Sequence, residues 1–307
     1  MGKVNILLAT YNGETYIRKL LDSLVRQSWK DFVCYIHDDG SSDRTVAICR
    51  EYCGNDPERF VLLDYPKTGG AKANFLSLMK YADGDYVFFC DQDDVWLPDK
   101  IEKMVQAAEK TGGECLVFCD LKVVDASLNT LSDSFMAASR VHPEQMNYRN
   151  TLIKSGIPGC AMMVTRGIME NASKLQDPEK IVMHDWWVIL TALMTDAEIV
   201  FVNEPLVLYR QHEENAVGSS KTGTMDRARI QMKRVMNGTL RAEKKQDFER
   251  IREQAKALLD YGIGTEEKCR FVRDFLENGE KSKLSRIRFC RKNFQGTDRL
   301  WWLLFWV

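Results

Sequence analysis

The first 120 residues alternate short apolar runs with amphipathic stretches, and this alternation constrains the fold more than any other feature of the sequence. Five runs have the length and residue types of buried strands, at residues 4–9, 32–36, 60–63, 86–90 and 115–119. Apolar residues at helical spacing lie between them, at residues 14–27, 44–52, 73–81 and 98–110. These repeated units predict an α/β fold, a Rossmann-type, mostly parallel sheet with helices on both faces.

The pattern loosens after residue 120 and changes again after Gly218. Residues 160–164 and 199–202 are typical of strands, and a helix is predicted to begin near His184. Residues 222–295 are charged and helical, without a strand-like run. We therefore predict two parts, an α/β domain at residues 1–218 and a helical C-terminal region at residues 219–307.

Composition narrows the class of protein. The net charge of −1 gives no basic field that would attract nucleic acid. None of the nine cysteines lies in a CxxC pair, which indicates reduced, buried thiols as in cytosolic proteins. The first residues do not form a secretory signal, and no apolar stretch reaches the roughly 18 residues that a membrane span needs. We expect a cytoplasmic protein, soluble or peripheral to a membrane.

Polar clusters follow three of the predicted strands. Residues 10–14 (Thr-Tyr-Asn-Gly-Glu) follow the first strand, residues 38–43 (Asp-Asp-Gly-Ser-Ser-Asp) the second, and residues 91–94 (Asp-Gln-Asp-Asp) the fourth. Ligands of such sheets bind beyond the carboxyl ends of the strands. The three loops are therefore predicted to line one cleft.

The acidic loop at residues 91–94 indicates a divalent cation. Carboxylates suit Mg²⁺ or Mn²⁺, and these ions usually bind one or two carboxylates together with substrate phosphates. Asp91 and Asp93 point the same way in an extended segment, so they can share one ion. The alternatives are a solvated acidic loop or an N-cap for the helix that begins near Pro98.

The loop at residues 38–43 offers a carboxylate that can read a base. Uracil and thymine present acceptor, donor and acceptor groups, so the N3–H requires an acceptor such as Asp39. A structural explanation is also available, in which Gly40 makes the turn and Asp43 caps the next helix. The two explanations are compatible, because Asp43 can cap the helix while Asp39 binds the base.

These motifs resemble a known family. Residues 9–13, 38–43 and 91–100 (Asp-Gln-Asp-Asp-Val-Trp-Leu-Pro-Asp-Lys) are similar to those of the family 2 inverting glycosyltransferases with the GT-A fold. The resemblance covers roughly residues 1–218. Residues 184–187 (His-Asp-Trp-Trp) and 209–212 (Tyr-Arg-Gln-His) look most like bacterial rhamnosyltransferases that build surface polysaccharides.

The resemblance implies roles for individual residues. The donor nucleotide would contact a set drawn from several loops: Thr10, Tyr11, Asn12, Glu14, Asp39, Asp91 and Arg210. Within it, Asp91 would approach the ribose, and Arg210 can hold diphosphate oxygens. The metal, Mn²⁺ or Mg²⁺, would bind Asp93, His212 and Asp91. A purely structural role for His212 is the alternative.

The chemistry also requires a base. A sugar hydroxyl is a poor nucleophile, and removal of its proton by a general base is typically worth about 10²–10⁴-fold. Inversion puts that base on the face opposite the departing diphosphate, which excludes the carboxylates of the acidic loop. Asp185 meets this requirement, with an N-cap of the helix at residues 186–194 as the alternative. Trp186 and Trp187 can form a platform for the acceptor sugar, or can be core residues.

Many relatives carry Glu-Asp where this chain has His184-Asp185, so no role of that glutamate is transferred. A satisfied structural histidine is the expected state of His184.

The C-terminal end combines basic and aromatic residues. Residues 281–299 hold seven lysines and arginines against one acid, Asp298, and residues 300–307 read Leu-Trp-Trp-Leu-Leu-Phe-Trp-Val. Such a segment suits an anionic membrane interface. A tail folded into a groove and an oligomer contact are the alternatives.

Together these features predict a metal-dependent glycosyltransferase, peripheral at the inner face of the cell membrane. Its first-choice donor is dTDP-L-rhamnose, with a UDP-hexose as the alternative, and its acceptor is a growing, lipid-linked cell-surface glycan. A nucleotidyltransferase would show a Gly-rich, basic first loop, and residues 10–14 are neither. A non-catalytic glycan-binding module would have no need for Asp39, Asp91, Asp93 and Asp185 together.

Overall fold

The structure, a computed structural model, describes residues 2–212 and 239–294. Its strands are β1 (Val4–Thr10), β2 (Phe32–Asp38), β3 (Phe60–Leu62), β4 (Tyr86–Asp91), β5 (Val95–Trp96), β6 (Cys115–Val124), β7 (Thr130–Ser132), β8 (Met162–Thr165) and β9 (Glu198–Arg210). Its helices are α1 (Ile17–Val25), α2 (Thr45–Asn55), α3 (Ala71–Met79), α4 (Lys100–Glu109), α5 (Phe135–Ser139), α6 (Tyr148–Ile153), α7 (Arg166–Ala172), α8 (His184–Met194), α9 (Thr239–Asp260), α10 (Glu266–Asn278) and α11 (Lys283–Asn293).

The described strands form one mixed sheet in the order β3-β2-β1-β4-β8-β6-β9-β5, with β7 paired to β6. The half made of β3, β2, β1 and β4 is parallel, while β8 runs antiparallel to both of its neighbours. The predicted fold class is confirmed. In the parallel half, Thr10 pairs with Asp38 and Ala9 with Asp91, so the three polar loops leave from the same edge.

The central strands are buried on both faces, which explains their uniformly apolar sequences. Val87, Phe88, Phe89 and Cys90 of β4 are fully buried. Truncation of such a residue, for example Phe88→Ala, would destabilise the fold by about 3–5 kcal/mol. All nine cysteines are free, and seven of them are buried.

Two predicted elements differ in extent from the structure. The strand predicted at residues 199–202 is part of β9, which has 13 residues and ends at Arg210. It continues because β9 pairs with β6 along nearly its whole length. The helix predicted at residues 98–110 begins at Lys100, after Pro98. The sequence did not reveal β5, β7, α5, α6 or α7, which are too short for their periodicity to be recognised.

The C-terminal region is helical in its described part, as predicted. Aromatic residues hold α9, α10 and α11 together: the ring of Phe275 lies 5.9 Å from Phe248, and Phe271 lies 5.8 Å from Phe289. Within the described residues, no helix is both long and apolar enough to cross a membrane. The predicted boundary at residue 218 and the aromatic segment at residues 300–307 lie outside the described residues.

Candidate active site

The three polar loops are joined by hydrogen bonds at one edge of the sheet. Thr10 Oγ1 donates to Asp38 Oδ1 over 2.9 Å. The backbone N–H of Tyr11 donates to Gln92 Oε1, and Gln92 Nε2 donates to the carbonyl of Tyr11, both over 2.9 Å. A side chain at Gly13 would displace the Gln92 carboxamide from these hydrogen bonds. The three loops therefore share one edge of the sheet, as predicted.

The side chains of the first loop divide between structural and open positions. Asn12 Oδ1 accepts from the Ser42 N–H over 2.9 Å, and Glu14 Oε2 accepts from the Arg44 N–H over 2.9 Å. Both therefore connect the first loop to the second. Tyr11 is 56% exposed, which leaves its ring available to a ligand.

Asp39 is held by the segment that precedes α3. Its carboxylate accepts hydrogen bonds from the backbone N–H groups of Thr68, Gly69 and Gly70 and from the Thr68 hydroxyl. Gly69 and Gly70 have φ angles of +90° and +124°, which other residues rarely adopt. Burial raises the pKa of Asp39, but these hydrogen bonds outweigh it and hold the pKa below its usual value. A base N3–H would reach Asp39 only by replacing one of these donors.

The acidic loop is the most charged part of the site. One ligand atom each from Asp91, Asp94 and Cys160 lies within 4.8 Å of the others. Burial raises the pKa of Asp91, and the charges of Asp93 and Asp185 raise it further. Burial raises the pKa of Asp94, and the charges of Asp93 and Asp91 raise it further. Carboxylates forced together at low solvent exposure fit a hard divalent cation, because its charge would relieve their repulsion.

Asp93 faces a residue from the far end of the domain. Its Oδ2 lies 2.7 Å from His212 Nε2, and their side chains are only 18% and 11% exposed. An imidazole beside a carboxylate can serve as a further ligand to the same ion. The structure thus brings together Asp93 and His212, two of the three residues predicted for the metal, while Asp91 groups instead with Asp94 and Cys160.

Arg210 occupies a different place from the one predicted. It is fully buried, and it donates from Nε to the carbonyl of Asp93 and from Nη1 to that of Ala126, both over 2.6 Å. Its backbone N–H donates to Asp94 Oδ1 over 3.0 Å. The guanidinium holds the acidic loop from within, which corrects the expected contact with diphosphate oxygens. Its position at the end of β9 explains this, since that strand lies in the sheet.

Lys100 is a buried cation whose role the sequence did not suggest. The side chain is fully buried, its Nζ donates to the carbonyl of Cys160 over 2.7 Å, and it lies 3.3 Å from the centroid of the Trp96 ring. Burial lowers its pKa, while the charge of Asp94 acts in the opposite direction. The lysine supports the backbone behind the acidic loop. Its place at the end of the 91–100 motif was the available signal.

Asp185 is the second residue of α8 rather than its N-cap, which is Met183. Its Oδ1 accepts from the Trp186 N–H over 2.7 Å. Burial raises the pKa of Asp185 to about 6. Both Asp185 and Phe89 of β4, the strand that ends at Asp91, lie beside Gly159, and the charge of Asp185 raises the pKa of Asp91. A half-buried carboxylate with this pKa is suited to accept a proton near neutral pH.

The neighbours of Asp185 are mostly core residues. Trp187 is fully buried and donates from Nε1 to the carbonyl of Ala172 over 2.9 Å, which corrects its predicted place in an acceptor platform. Trp186 is half-buried and donates to the carbonyl of Thr151 over 2.6 Å.

His184 stacks on Phe75, with 4.0 Å between ring centroids, and burial lowers its pKa to about 3. Neither of its ring nitrogens has a hydrogen-bond partner among the described residues, contrary to the satisfied histidine expected.

Comparison with known proteins identifies the family. The family described as "Glycosyl transferase family 2" matches residues 5–170. The chain belongs to glycosyl transferase family 2. It is 31% identical over 225 residues to "dTDP-rhamnosyl transferase RfbG" of Shigella flexneri, an alignment that covers 69% of this chain and 74% of that protein. It is 30% identical over 220 residues to the putative glycosyltransferase EpsH of Bacillus subtilis, with 70% and 62% covered.

Solved structures of glycosyltransferases share the fold. The S. aureus TarS 1-349 complex with UDP superposes with a TM-score of 0.59 at 17% identity, covering 95% of this chain and 73% of that one. The mannosyltransferase PcManGT from Pyrobaculum calidifontis, in complex with GDP-Man and Mn2+, gives a TM-score of 0.52 at 13% identity, covering 92% and 72%. The fold of this family 2 glycosyltransferase is therefore GT-A. The family match ends at residue 170, so Asp185, Arg210 and His212 lie beyond it.

Proposed function

We propose that this glycosyltransferase is a metal-dependent inverting enzyme that transfers L-rhamnose from dTDP-L-rhamnose to a hydroxyl of a growing cell-surface glycan. The observation that carries the proposal is the position of the Asp185 carboxylate near the Asp91–Asp93 loop, with its pKa raised to about 6. The similarity to RfbG supports rhamnose as the donor sugar. A UDP-hexose is the second candidate, since TarS binds UDP-GlcNAc on the same fold.

The residues have complementary tasks in this reaction. Asp185 accepts the proton of the acceptor hydroxyl while that oxygen bonds to the anomeric carbon and the bond from this carbon to the diphosphate breaks. Asp93, His212 and Asp91 would hold Mn²⁺ or Mg²⁺, which neutralises the charge of the diphosphate. We further assign Asp91 to the ribose of the donor. We assign the nucleobase to the first two loops, where Tyr11 and Asp39 would contact it and Thr10, Asn12 and Glu14 hold the loops in place. Trp186 is assigned to the acceptor.

Asp185 and the acidic loop also decide between classes of enzyme. A nucleotidyltransferase does not need a base on the far side of a sugar. A non-catalytic glycan-binding module does not need a proton acceptor with a raised pKa beside a cluster of carboxylates. Both alternatives are therefore less consistent with the site than glycosyl transfer.

The enzyme is further proposed to work at the inner face of the cell membrane on a lipid-linked acceptor. Lys283, Arg288, Arg291 and Lys292 of α11 are exposed, and Leu284 beside them is 68% exposed. Each basic side chain near an anionic surface contributes about 1 kcal/mol. We assign catalysis to residues 1–218 and surface attachment to the helical region at residues 219–307.

The direct test is transfer by the purified full-length protein with Mn²⁺ or Mg²⁺. We expect dTDP release from dTDP-L-rhamnose in the presence of a rhamnose-accepting glycan, and a product whose anomeric configuration is inverted by NMR. Release of UDP from a UDP-hexose instead would select the second donor. Consumption of a nucleoside triphosphate and a sugar phosphate, without sugar transfer, would replace the proposal with nucleotidyl transfer.

A further inference from the structure

The helix that carries Asp185 is held at both ends by the C-terminal helical region. Before its first turn, the backbone N–H of Val182 donates to Gln254 Oε1 of α9 over 3.0 Å. At its far end, the N–H of Thr265 donates to the carbonyl of Met194 over 3.1 Å. Lys268 Nζ donates to the carbonyl of Leu193 and pairs with Asp196. The C-terminal helices thus fix α8 as well as packing on one another.

We propose that Gln254 is a positioning residue for Asp185, which makes α9 part of the catalytic arrangement. The inference rests on the proposed role of Asp185 as the base. Gln254 is fully buried. Its acceptor oxygen meets the chain three residues before Asp185, so a displacement of Val182 passes directly to the first turn of α8.

The segment before α8 is also attached to α9 by Lys180, which pairs with Asp260 over 3.2 Å, but the backbone N–H of Val182 is bound by Gln254. Lys72 Nζ of α3 donates to the carbonyl of Ile181 over 3.2 Å, so residues 181 and 182 lie between α3 and α9. The Val182 N–H precedes the helix and needs a partner outside it. Without Gln254, this partly buried N–H would lose its acceptor and the segment would move to find another.

The geometric requirement of the reaction makes such movement costly. A base must lie within hydrogen-bond reach of the acceptor hydroxyl, and a misplacement of about 1 Å is able to lower the rate by about 10²-fold. Donor binding depends on the loops at β1, β2 and β4, which do not contact Gln254. A positioning role therefore predicts a loss in kcat without a loss in donor affinity.

The test uses full-length Gln254→Leu, which keeps the approximate size but removes the acceptor. We expect kcat for transfer to fall at least tenfold, while the Kd for the nucleotide product with Mn²⁺ stays within twofold by calorimetry. The calorimetric stoichiometry gives the folded fraction and normalises kcat. Gln254→Asn is a milder change that keeps the amide and should give an intermediate kcat. It replaces Gln254→Leu in the test if that variant does not fold.

Two controls separate positioning from general loosening. Lys256→Ala alters an exposed pair with Glu253 on the same helix and should leave kcat unchanged. Lys268→Met loosens the distal end of α8 and should lower the melting temperature with less than a twofold change in kcat. Equal losses of kcat in Lys268→Met and Gln254→Leu would overturn the proposal.

A double variant tests whether the effect passes through Asp185. If it does, Gln254→Leu should not lower the residual rate of Asp185→Asn further, because coupled residues are not additive. Additive losses would overturn the positioning role. Wild-type transfer by Asp185→Asn would overturn the proposed base itself. An inactive Asp185→Asn with unchanged kcat in Gln254→Leu would overturn only the role of Gln254.

Discussion

His212 Nε2 lies 2.7 Å from Asp93 Oδ2, although the two residues are 119 positions apart in the chain. Strand pairing brings them together. The acidic loop leads directly into β5, and β5 pairs antiparallel with β9, with Val95 opposite Leu208 and Trp96 opposite Val207. His212 follows β9 by two residues and so returns to the loop from which β5 begins. One side of the candidate metal site is therefore built by the last strand of the sheet.

Substitution of Asp93 by alanine should abolish metal-dependent binding of dTDP while the protein stays folded. Loop carboxylates contribute little to stability, whereas a metal ligand is needed for every diphosphate contact that the ion makes. Calorimetry of dTDP with Mn²⁺ measures the first effect, and thermal unfolding the second. His212→Ala should raise the Mn²⁺ concentration needed for half-maximal activity about 10–100-fold.

Asp99→Ala is the matched control for Asp93, since Asp99 lies in the same motif but forms an ion pair with Lys103 at the surface. It should bind dTDP like the wild type. Full activity of Asp93→Ala in EDTA would remove the metal from the mechanism.

Asp185→Asn should lower transfer about 10²-fold or more and leave donor affinity unchanged, because the amide cannot take a proton. In the wild type, kcat should rise with pH and level off above about 6, the pKa to which burial raises Asp185. A rate that stays constant from pH 5 to 8 would contradict this assignment, and so would a loss of donor binding in Asp185→Asn.

The same pKa predicts an effect on stability. Since the folded pKa of Asp185 lies above the unfolded value of about 3.9, the folded state binds more protons between these values. This contribution to stability is present below about pH 4 and is lost as pH rises through about 6. At pH 7, Asp185→Asn should therefore melt at a higher temperature than the wild type, and at pH 4 the difference should shrink. A lower melting temperature at pH 7 would argue against burial of the charged form.

Asp39 should select UDP and dTDP over CDP, whose N3 carries no proton for the carboxylate. GDP and ADP should not fit. Discrimination is expected because the N3 of cytosine is an acceptor, which cannot replace a backbone donor of Asp39 and would face the carboxylate without a hydrogen bond. Asp39→Asn should weaken UDP binding. Asp64→Asn, which changes an exposed aspartate just after β3, should not.

Competition with the backbone gives a further readout for Asp39. The N–H groups of Thr68, Gly69 and Gly70 bind the carboxylate in the structure, so hydrogen exchange at these three amides should quicken when UDP binds. Unchanged exchange together with equal calorimetric affinity for CDP and UDP would remove Asp39 from base recognition.

Because of the basic segment at residues 281–299, the full-length protein should co-sediment with anionic liposomes at low salt. Attraction should weaken as salt rises, because the Debye length shrinks from about 8 Å at physiological ionic strength. A variant that ends at Gly279 should not co-sediment but should still release dTDP. A variant that ends at Phe294 keeps α11 and should bind weakly, which isolates the share of residues 295–307.

The packing of α11 gives the alternative to membrane binding, which is a structural role for this helix. Phe289 and Phe294 contact Phe271, with centroids 5.8 and 6.2 Å away, and Phe294 is buried. If the variant ending at Gly279 loses donor binding, the segment has a structural role and the membrane proposal is wrong. Neutral liposomes are the control for charge.

Much of the fold and part of the site were available from local sequence. Apolar runs of strand length at β1, β2 and β4, each followed by polar residues, are sufficient to predict a sheet with a cleft at one edge. The Asp-Gln-Asp-Asp loop is equally local, since ligands that follow one another in an extended segment need no tertiary contact to share an ion. Asp185 required chemistry as well, because only the need for a base pointed to a carboxylate outside the acidic loop.

The tertiary structure decided which polar side chains face the cleft. Arg210 and Trp187 have residue types that bind ligands, yet both are buried, because β9 continues into the sheet and α8 presents Trp187 to the core. Gln254 carried no local signal, and the motif that contains Lys100 did not reveal what this lysine contacts, since their partners are the backbone groups of Val182 and Cys160, far away along the chain. Periodicity within a segment records which face is buried, but contacts between distant segments depend on how all the elements pack together. The sequence by itself therefore determined the sheet and its acidic edge, and only the packing determined how α8 and its carboxylate are held against that edge.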